Sequence, residues 1–167
     1  MSETTRLADR RSFVSGDRAY AMGDETGLYP ATGWHIRGEM GGFWTGPLKL
    51  VDGIWFAVDG DWLGADVAAS KYTSGQGYSR IDYGSPGGVG VSRTDFVPDG
   101  LRATLVGLTF RTTGAARSVD LDLDAHSELI PSYPWGWTTP NAGQTNLPDT
   151  GAYADGALRF REQGTPP

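Results

Sequence analysis

The chain has 167 residues, a length that suits one domain with a substantial hydrophobic core. Its 14 Lys and Arg residues stand against 20 Asp and Glu, a formal charge of −6 with no basic run, so a nucleic acid is not an expected partner. The lack of cysteine excludes disulfides, thiol catalysis and Cys-ligated zinc.

The N-terminal residues 1–12 are polar, and we expect them to form a disordered segment. They lack the apolar region of a secretory signal peptide. No apolar run along the chain reaches the length of about 18 residues that spans a bilayer. These observations predict a cytoplasmic protein with no membrane partner.

The remainder of the chain is predicted to be all-β, because its 25 Gly and 10 Pro separate short β-prone runs and no segment follows the helical period. We expect a β-sandwich or a β-barrel with little helix over residues 13–162. In chain order, the clearest expected strands are 20–22, 48–51, 54–58, 77–83, 89–97, 101–111, 118–128 and 157–161.

Four Asp-Gly pairs lie between β-prone runs. Both residues of such a pair tolerate the positive φ angles of a type I′ turn. Each pair therefore predicts a hairpin, at Asp52-Gly53, Asp59-Gly60, Asp99-Gly100 and Asp155-Gly156.

The stretch 33–64 contains four of the six Trp residues and eight Gly, with charged side chains interleaved. Large rings can cover the CH face of a sugar while charged groups bind its hydroxyls, so this composition favours a carbohydrate ligand. The alternative is that the Trp residues belong to the core and edges of a sheet. The candidate ligand-binding residues here are Trp34, His35, Arg37, Glu39 and Trp44.

Alternation predicts the environment of two later strands. Segment 101–111 has apolar residues on both faces, which indicates a central strand. Segment 118–128 alternates strictly, and predicts that Val119, Leu121, Leu123 and Ala125 point inward. The outward row of Asp120, Asp122 and Asp124 invites a calcium hypothesis, but alternate strand positions are about 6.5–7 Å apart and no EF-hand Gly turn is present. We therefore predict no metal site.

A second aromatic group follows the last of these strands. Tyr133, Trp135 and Trp137 occupy a run flanked by proline, which is too crowded to continue the strand and is expected to leave the sheet as a loop. These three rings are further candidates for carbohydrate binding.

The sequence offers little sign of catalysis. It contains no G-x-S-x-G elbow, no P-loop and no dinucleotide fingerprint, so we expect no cofactor. Glu39 could act with Asp52, Asp59 or Asp61, but sequence does not reveal the carboxylate separation that glycoside cleavage requires. No catalytic residue is assigned.

Five further segments carry a recognisable combination of motifs. They are GDETGLYP at 23–30, MGGFWTGPLKLVDGIWFAVDGDWL at 40–63, VGVSRTDFVPDG at 89–100, LVGLTFRTTG at 105–114 and SVDLDLDAHSEL at 118–129. In the third segment, Arg93, Phe96 and Pro98 form an R-x-x-F-x-P pattern. Together the segments resemble the N-terminal β-sandwich of glycoside hydrolases that have an (α/α)6-barrel catalytic domain, of the glycogen-debranching and glucoamylase-like kinds. In the fourth segment, Thr112 and Thr113 stand where that family has Asn. The resemblance implies an antiparallel, supersandwich-like β-sandwich.

The resemblance implies a non-catalytic accessory domain, because the catalytic carboxylates of that family lie on the helical barrel. The implied partners are a carbohydrate and the C-terminal barrel of the same parent chain. Residues 163–167 (QGTPP) are expected to be a linker or tail. Two alternatives remain open, a freestanding carbohydrate-binding sandwich and a structural interaction module with aromatic residues at its interface.

Overall fold

The fold was examined in a computed structural model, which describes residues 2–4, 7, 10–30, 40–131 and 148–163. It is all-β with antiparallel sheets, as the sequence predicts. The strands are β1 (Ser2–Thr4), β2 (Arg11–Ser15), β3 (Tyr20–Asp24), β4 (Gly42–Thr45), β5 (Leu48–Val58), β6 (Asp61–Trp62), β7 (Ala69–Ser74), β8 (Tyr78–Tyr83), β9 (Val89–Phe96), β10 (Leu105–Thr112), β11 (Leu121–Pro131), β12 (Asp149–Ala154) and β13 (Ala157–Glu162).

Two sheets form the body of the domain. One has five strands in the order β1-β7-β8-β9-β10, and the other has the order β11-β5-β4-β3-β2, with β6 also paired to β5. The β12–β13 hairpin forms a separate two-stranded sheet. A single 3-10 turn, Pro86–Gly88, precedes β9, and no helix in the described ranges is long and apolar enough to cross a membrane.

The core lies between the two large sheets, because alternate residues of facing strands turn their apolar side chains toward each other. Six of its buried members come from β5 in one sheet and from β7, β8 and β9 in the other, namely Phe56, Val58, Tyr72, Ile81, Tyr83 and Val91. Leu7 and Leu63, which lie between strands, also belong to it.

The expected hairpins are confirmed at two of the four Asp-Gly pairs. Asp59 and Gly60 have φ of 53° and 89°, and Asp155 and Gly156 have φ of 53° and 72°, as a type I′ turn requires. The prediction for Asp52-Gly53 was wrong, since β5 continues through this pair with register shifts against its neighbours. Asp99-Gly100 lies in the longer connection that joins the antiparallel neighbours β9 and β10, so a hairpin is present there, without the two positive φ angles of a type I′ turn.

The described residues of the N-terminal segment 1–12 differ from the expected disorder. Ser2–Thr4 pairs with β7, and Leu7 is buried in the core. β2 begins at Arg11, with Ser12 already buried. Burial of an apolar side chain such as Leu7 favours a fixed position for the residue that carries it. Of the expected tail 163–167, only Gln163 belongs to the described residues.

Of two predictions about the later strands, one was wrong and the other holds for the facing of the side chains. Among the described strands, β10 lies at the edge of its sheet rather than in the centre, and Leu105 is exposed. Leu121 and Leu123 of β11 lie on the inner face as predicted, opposite Val58 and Phe56, but β11 is also an edge strand and the two leucines are 48% and 56% exposed. Alternation predicts the face on which a side chain lies, but a neighbouring strand must cover that face before the side chain is buried.

Candidate functional site

Most residues of the predicted carbohydrate site lie outside the described part of the chain. Seven of the eight fall within 31–39 or 132–147, namely Trp34, His35, Arg37, Glu39, Tyr133, Trp135 and Trp137. Trp44 is described, and it lies on β4 in the six-stranded sheet.

Trp44 makes its contacts within the molecule. Its ring stacks on Tyr20 with centroids 5.8 Å apart and planes within 7° of parallel. The indole Nε1 donates a hydrogen bond to the Gly41 carbonyl oxygen at 3.2 Å. The residue is only 8% exposed, so it is a packed ring rather than the open stacking surface that we expected.

Trp44 belongs to an aromatic row on the outer face of the six-stranded sheet, the face turned away from the core. β2 buries Ser12 and Val14 toward the other sheet, so the intervening Phe13 points outward. Tyr20 pairs with Trp44 in register, and the Phe13 and Tyr20 rings lie 5.4 Å apart. We call Phe13, Tyr20 and Trp44 the aromatic row.

The aromatic row ends on β5 at a charged group that we call the Lys49 cluster. Lys49 is fully buried, and its Nζ donates to Asp52 Oδ1 at 2.5 Å and also to Glu128 Oε2. The same ammonium lies 5.9 Å from the centroid of the Trp44 ring, within range of a cation–π contact. The cluster therefore joins β4, β5 and β11 on the outer face.

The Lys49 cluster changes the pKa of Glu128. Burial raises the pKa of this carboxyl group, and a hydrogen bond with Asp52 raises it further, whereas the Lys49 ammonium acts in the opposite direction. A raised carboxyl pKa beside a second carboxylate is a common feature of acid–base sites. Here, however, both carboxyl groups are bound by the same ammonium, which holds them in place.

Another group of side chains on the outer face comes from the neighbouring part of β5 and β11. Trp55 pairs with Asp124, and its ring lies 4.8 Å from that of His126. His126 Nε2 is 3.1 Å from Asp124 Oδ2. Trp62 of β6 pairs with Ala57 on the same face and is 36% exposed. This part of the face combines exposed rings with polar side chains.

The acidic row predicted on β11 is present, but it does not converge. Asp122 pairs with Ala57 and Asp124 with Trp55, so the two carboxylates stand at successive outward positions. Asp120 precedes the strand. Its backbone N–H donates a hydrogen bond to Asp59 Oδ1, and its carbonyl oxygen accepts one from the Asp59 N–H. Within the described ranges, no three His, Asp or Glu side chains come together as metal ligands would.

Arg93, the first residue of the family-like R-x-x-F-x-P pattern, has a structural environment. It is 2% exposed, and its guanidinium donates to Asp95 Oδ1 at 2.8 Å and to the Tyr29 hydroxyl at 2.5 Å. It also donates to the carbonyl oxygens of Gly27 and Ile54. Burial alone would lower the Arg93 pKa, but the phenol of Tyr29 and the Asp95 carboxylate raise it. Because Arg93 lies on β9 and Ile54 on β5, this side chain links the two sheets.

A small cavity lies beside this buried network. Its volume is about 10 Å³, and its lining includes Ser12, Tyr29 and Asp95. This space is close to the minimum for a single water molecule, so it is too small for a sugar ring.

Sequence reasoning missed the Lys49 cluster and the Arg93 network. Glu128 lies 79 positions from Lys49, so no local motif connects them. The sequence contains one local sign of the cluster, which is that the charged residue Lys49 stands between Leu48 and Leu50 in a β-prone run.

Comparisons of the chain with protein-family models, with curated proteins and with solved structures found no match.

Proposed function

We propose that this chain is a non-catalytic accessory β-sandwich of a glycoside hydrolase, whose catalytic (α/α)6 barrel belongs to the same parent chain. The Lys49 cluster is the observation that carries the non-catalytic part. Glycosidases need one carboxyl group free to protonate the leaving group and another free to act as nucleophile or base. Asp52 and Glu128 instead share one buried ammonium, which suits a structural role.

The link to carbohydrate depends on the resemblance and on the aromatic residues. The density of Trp and Gly in 33–64 and the five family-like segments favour this link. The packed state of Trp44 supports a role in building the surface around a sugar site, because a ring that is already stacked gives the surface shape and rigidity.

The first test is an activity assay with the purified chain. We expect no turnover of maltooligosaccharides or aryl glycosides. Turnover that is lost in Glu128→Gln or Glu39→Gln, and retained in the exposed control Asp155→Asn, would contradict the proposal. A second test is the coding sequence downstream of Pro167, where an accessory domain requires a long helix-period segment able to form a barrel.

A freestanding carbohydrate-binding sandwich is the second candidate, because two rings of the outer face are accessible. Phe13 is 54% exposed, and Trp62 is 36% exposed on the same face as Asp124 and His126. This candidate requires the isolated chain to bind a soluble oligosaccharide. Calorimetric titration with maltooligosaccharides distinguishes the two: the accessory domain gives no heat of binding, whereas a freestanding module binds and loses affinity in Trp62→Ala.

A further inference from the structure

Among the described residues, the Leu121–Asp124 part of β11 forms an open edge. β11 is 11 residues long and pairs with β5, and no described strand pairs with its opposite side. Near the end of β11, the backbone N–H of Leu129 donates to the Asp149 carboxylate of β12. An edge strand exposes a row of unpaired backbone N–H and C=O groups, which are a template for pairing with another extended segment.

The inner face of β11 is apolar but only partly covered. Leu121 lies directly opposite Val58, and Leu123 lies opposite Phe56. Directly paired residues share a face of the sheet, so both leucines continue the apolar layer that contains the buried Val58 and Phe56. About half of each leucine side chain is nevertheless exposed. The core layer therefore extends one strand further than the strands that cover it.

The outer face of the same strand is acidic. Asp122 and Asp124 alternate with the two leucines and are both exposed. A strand added at this edge would place one set of its side chains beside Leu121 and Leu123 and the alternate set beside Asp122 and Asp124. Opposite charges on neighbouring strands stabilise a pair, and like charges destabilise it. The edge therefore favours Lys or Arg at the alternate positions of an incoming strand.

The same charges disfavour a second copy of this chain. Antiparallel pairing of two β11 edges would bring the acidic rows of both copies into proximity on one face. Such repulsion is a common means by which edge strands avoid self-association. The edge therefore suits a partner segment of opposite charge rather than a second copy of the chain.

We propose that the free edge of β11 binds an extended segment in which apolar residues alternate with Lys or Arg, by addition of a strand to the six-stranded sheet. The apolar side chains of the segment would cover Leu121 and Leu123, and its basic side chains would pair with Asp122 and Asp124. This inference goes beyond the proposed function, because it concerns a peptide partner and does not require the chain to bind sugar.

The test uses the full chain and short blocked peptides of about seven residues, the length of an ordinary strand. The probe alternates Val with Lys, one control alternates Val with Glu, and another has Pro at the central Val of the probe. Fluorescence anisotropy measures affinity, and amide hydrogen exchange locates the bound peptide. We expect the Val/Lys peptide to bind and to protect amides of β11, and both controls to bind more weakly, by on the order of tenfold or more.

Variants of the chain identify the residues responsible. The double variant Asp122→Lys with Asp124→Lys should prefer the Val/Glu peptide, and Leu121→Thr with Leu123→Thr should bind the Val/Lys peptide less tightly. All four positions are exposed, so circular dichroism should report an unchanged fold. Equal affinity of the Val/Lys peptide for wild type and the charge-reversed variant, protection elsewhere than β11, or absence of binding would overturn the proposal. Self-association of the wild type through β11 in sedimentation experiments would also overturn it.

Discussion

The Nζ of Lys49 lies 2.5 Å from Oδ1 of Asp52, although the two residues are three positions apart in one strand. In a regular strand, residues three apart point to opposite faces. Register shifts of β5 against β4 and β11 interrupt the alternation between these residues and bring both side chains to the outer face. The irregularity that invalidates the Asp52-Gly53 hairpin prediction thus creates the Lys49 cluster.

Replacement of the buried cation should destabilise the fold. In Lys49→Met, Asp52 and Glu128 would face each other without a compensating charge, and the loss of one partner from a buried ion pair typically costs about 3–5 kcal/mol. We expect a value near the lower limit at pH 7, since both carboxyl groups are partly exposed. Urea unfolding measures this free energy, and Arg102→Met, at an exposed position, is the control. A loss comparable to that of the control would contradict the structural role of Lys49.

The pH dependence of stability should have opposite signs at two carboxyl groups. Burial raises the pKa of Glu128 in the fold, so its contribution to stability is present below the unfolded-state pKa and is lost as the pH rises through the folded pKa. For Asp82, burial opposes the shift, but hydrogen bonds from Ser92 and Arg80 lower the pKa. Its contribution is present above the unfolded-state pKa and is lost as the pH falls through the folded pKa.

Thermal melts of Glu128→Gln and Asp82→Asn, at pH values on both sides of the ordinary carboxyl pKa, test the direction in which each contribution to stability changes with pH. Relative to wild type, Glu128→Gln should become progressively less destabilising as the pH rises above about 4.3, the ordinary pKa of Glu. Asp82→Asn should become progressively less destabilising as the pH falls below about 3.9, the ordinary pKa of Asp. If the destabilisation of both variants relative to wild type changed in the same direction with pH, the prediction would be wrong.

Two tryptophans of the outer face should respond differently to truncation. Trp44→Ala removes a buried ring that is stacked on Tyr20, and we expect a loss of about 3–5 kcal/mol. Trp62→Ala removes a partly exposed ring and should cost at most about 1 kcal/mol. Chemical denaturation of both variants measures the difference. A mild effect of Trp44→Ala would identify that ring as a surface group available to a ligand.

Gly27 and Gly60 provide a matched pair of substitutions with Ala. Both have positive φ, 87° and 89°, so each variant carries backbone strain of about 1–2 kcal/mol. A Cβ at Gly27 would clash with the Tyr83 hydroxyl oxygen, whereas a Cβ at Gly60 meets open space. Displacement of Tyr83 breaks its hydrogen bond to the Thr26 carbonyl oxygen and adds about 1–3 kcal/mol. Equal melting temperatures for the two variants would refute the close approach at Gly27.

Local patterns in the sequence were sufficient for the all-β class, for most of the longer strands and for two hairpin turns. The turns at Asp59-Gly60 and Asp155-Gly156 depend on residues that tolerate positive φ, a property of the amino acids themselves. Alternation also correctly indicated that Leu121 and Leu123 share one face of β11, because the side-chain period of a strand is a feature of its backbone.

Only the tertiary structure decided which strands lie at the edges and which distant residues meet. β10 and β11 have apolar faces, yet each ends its sheet, since strand order depends on long-range pairing that alternation does not encode. Lys49 reaches Glu128, and Arg93 reaches Ile54, through contacts between residues remote in the chain. A buried charge is stable only where its partners converge on it in space, so these clusters become visible only when the chain is folded.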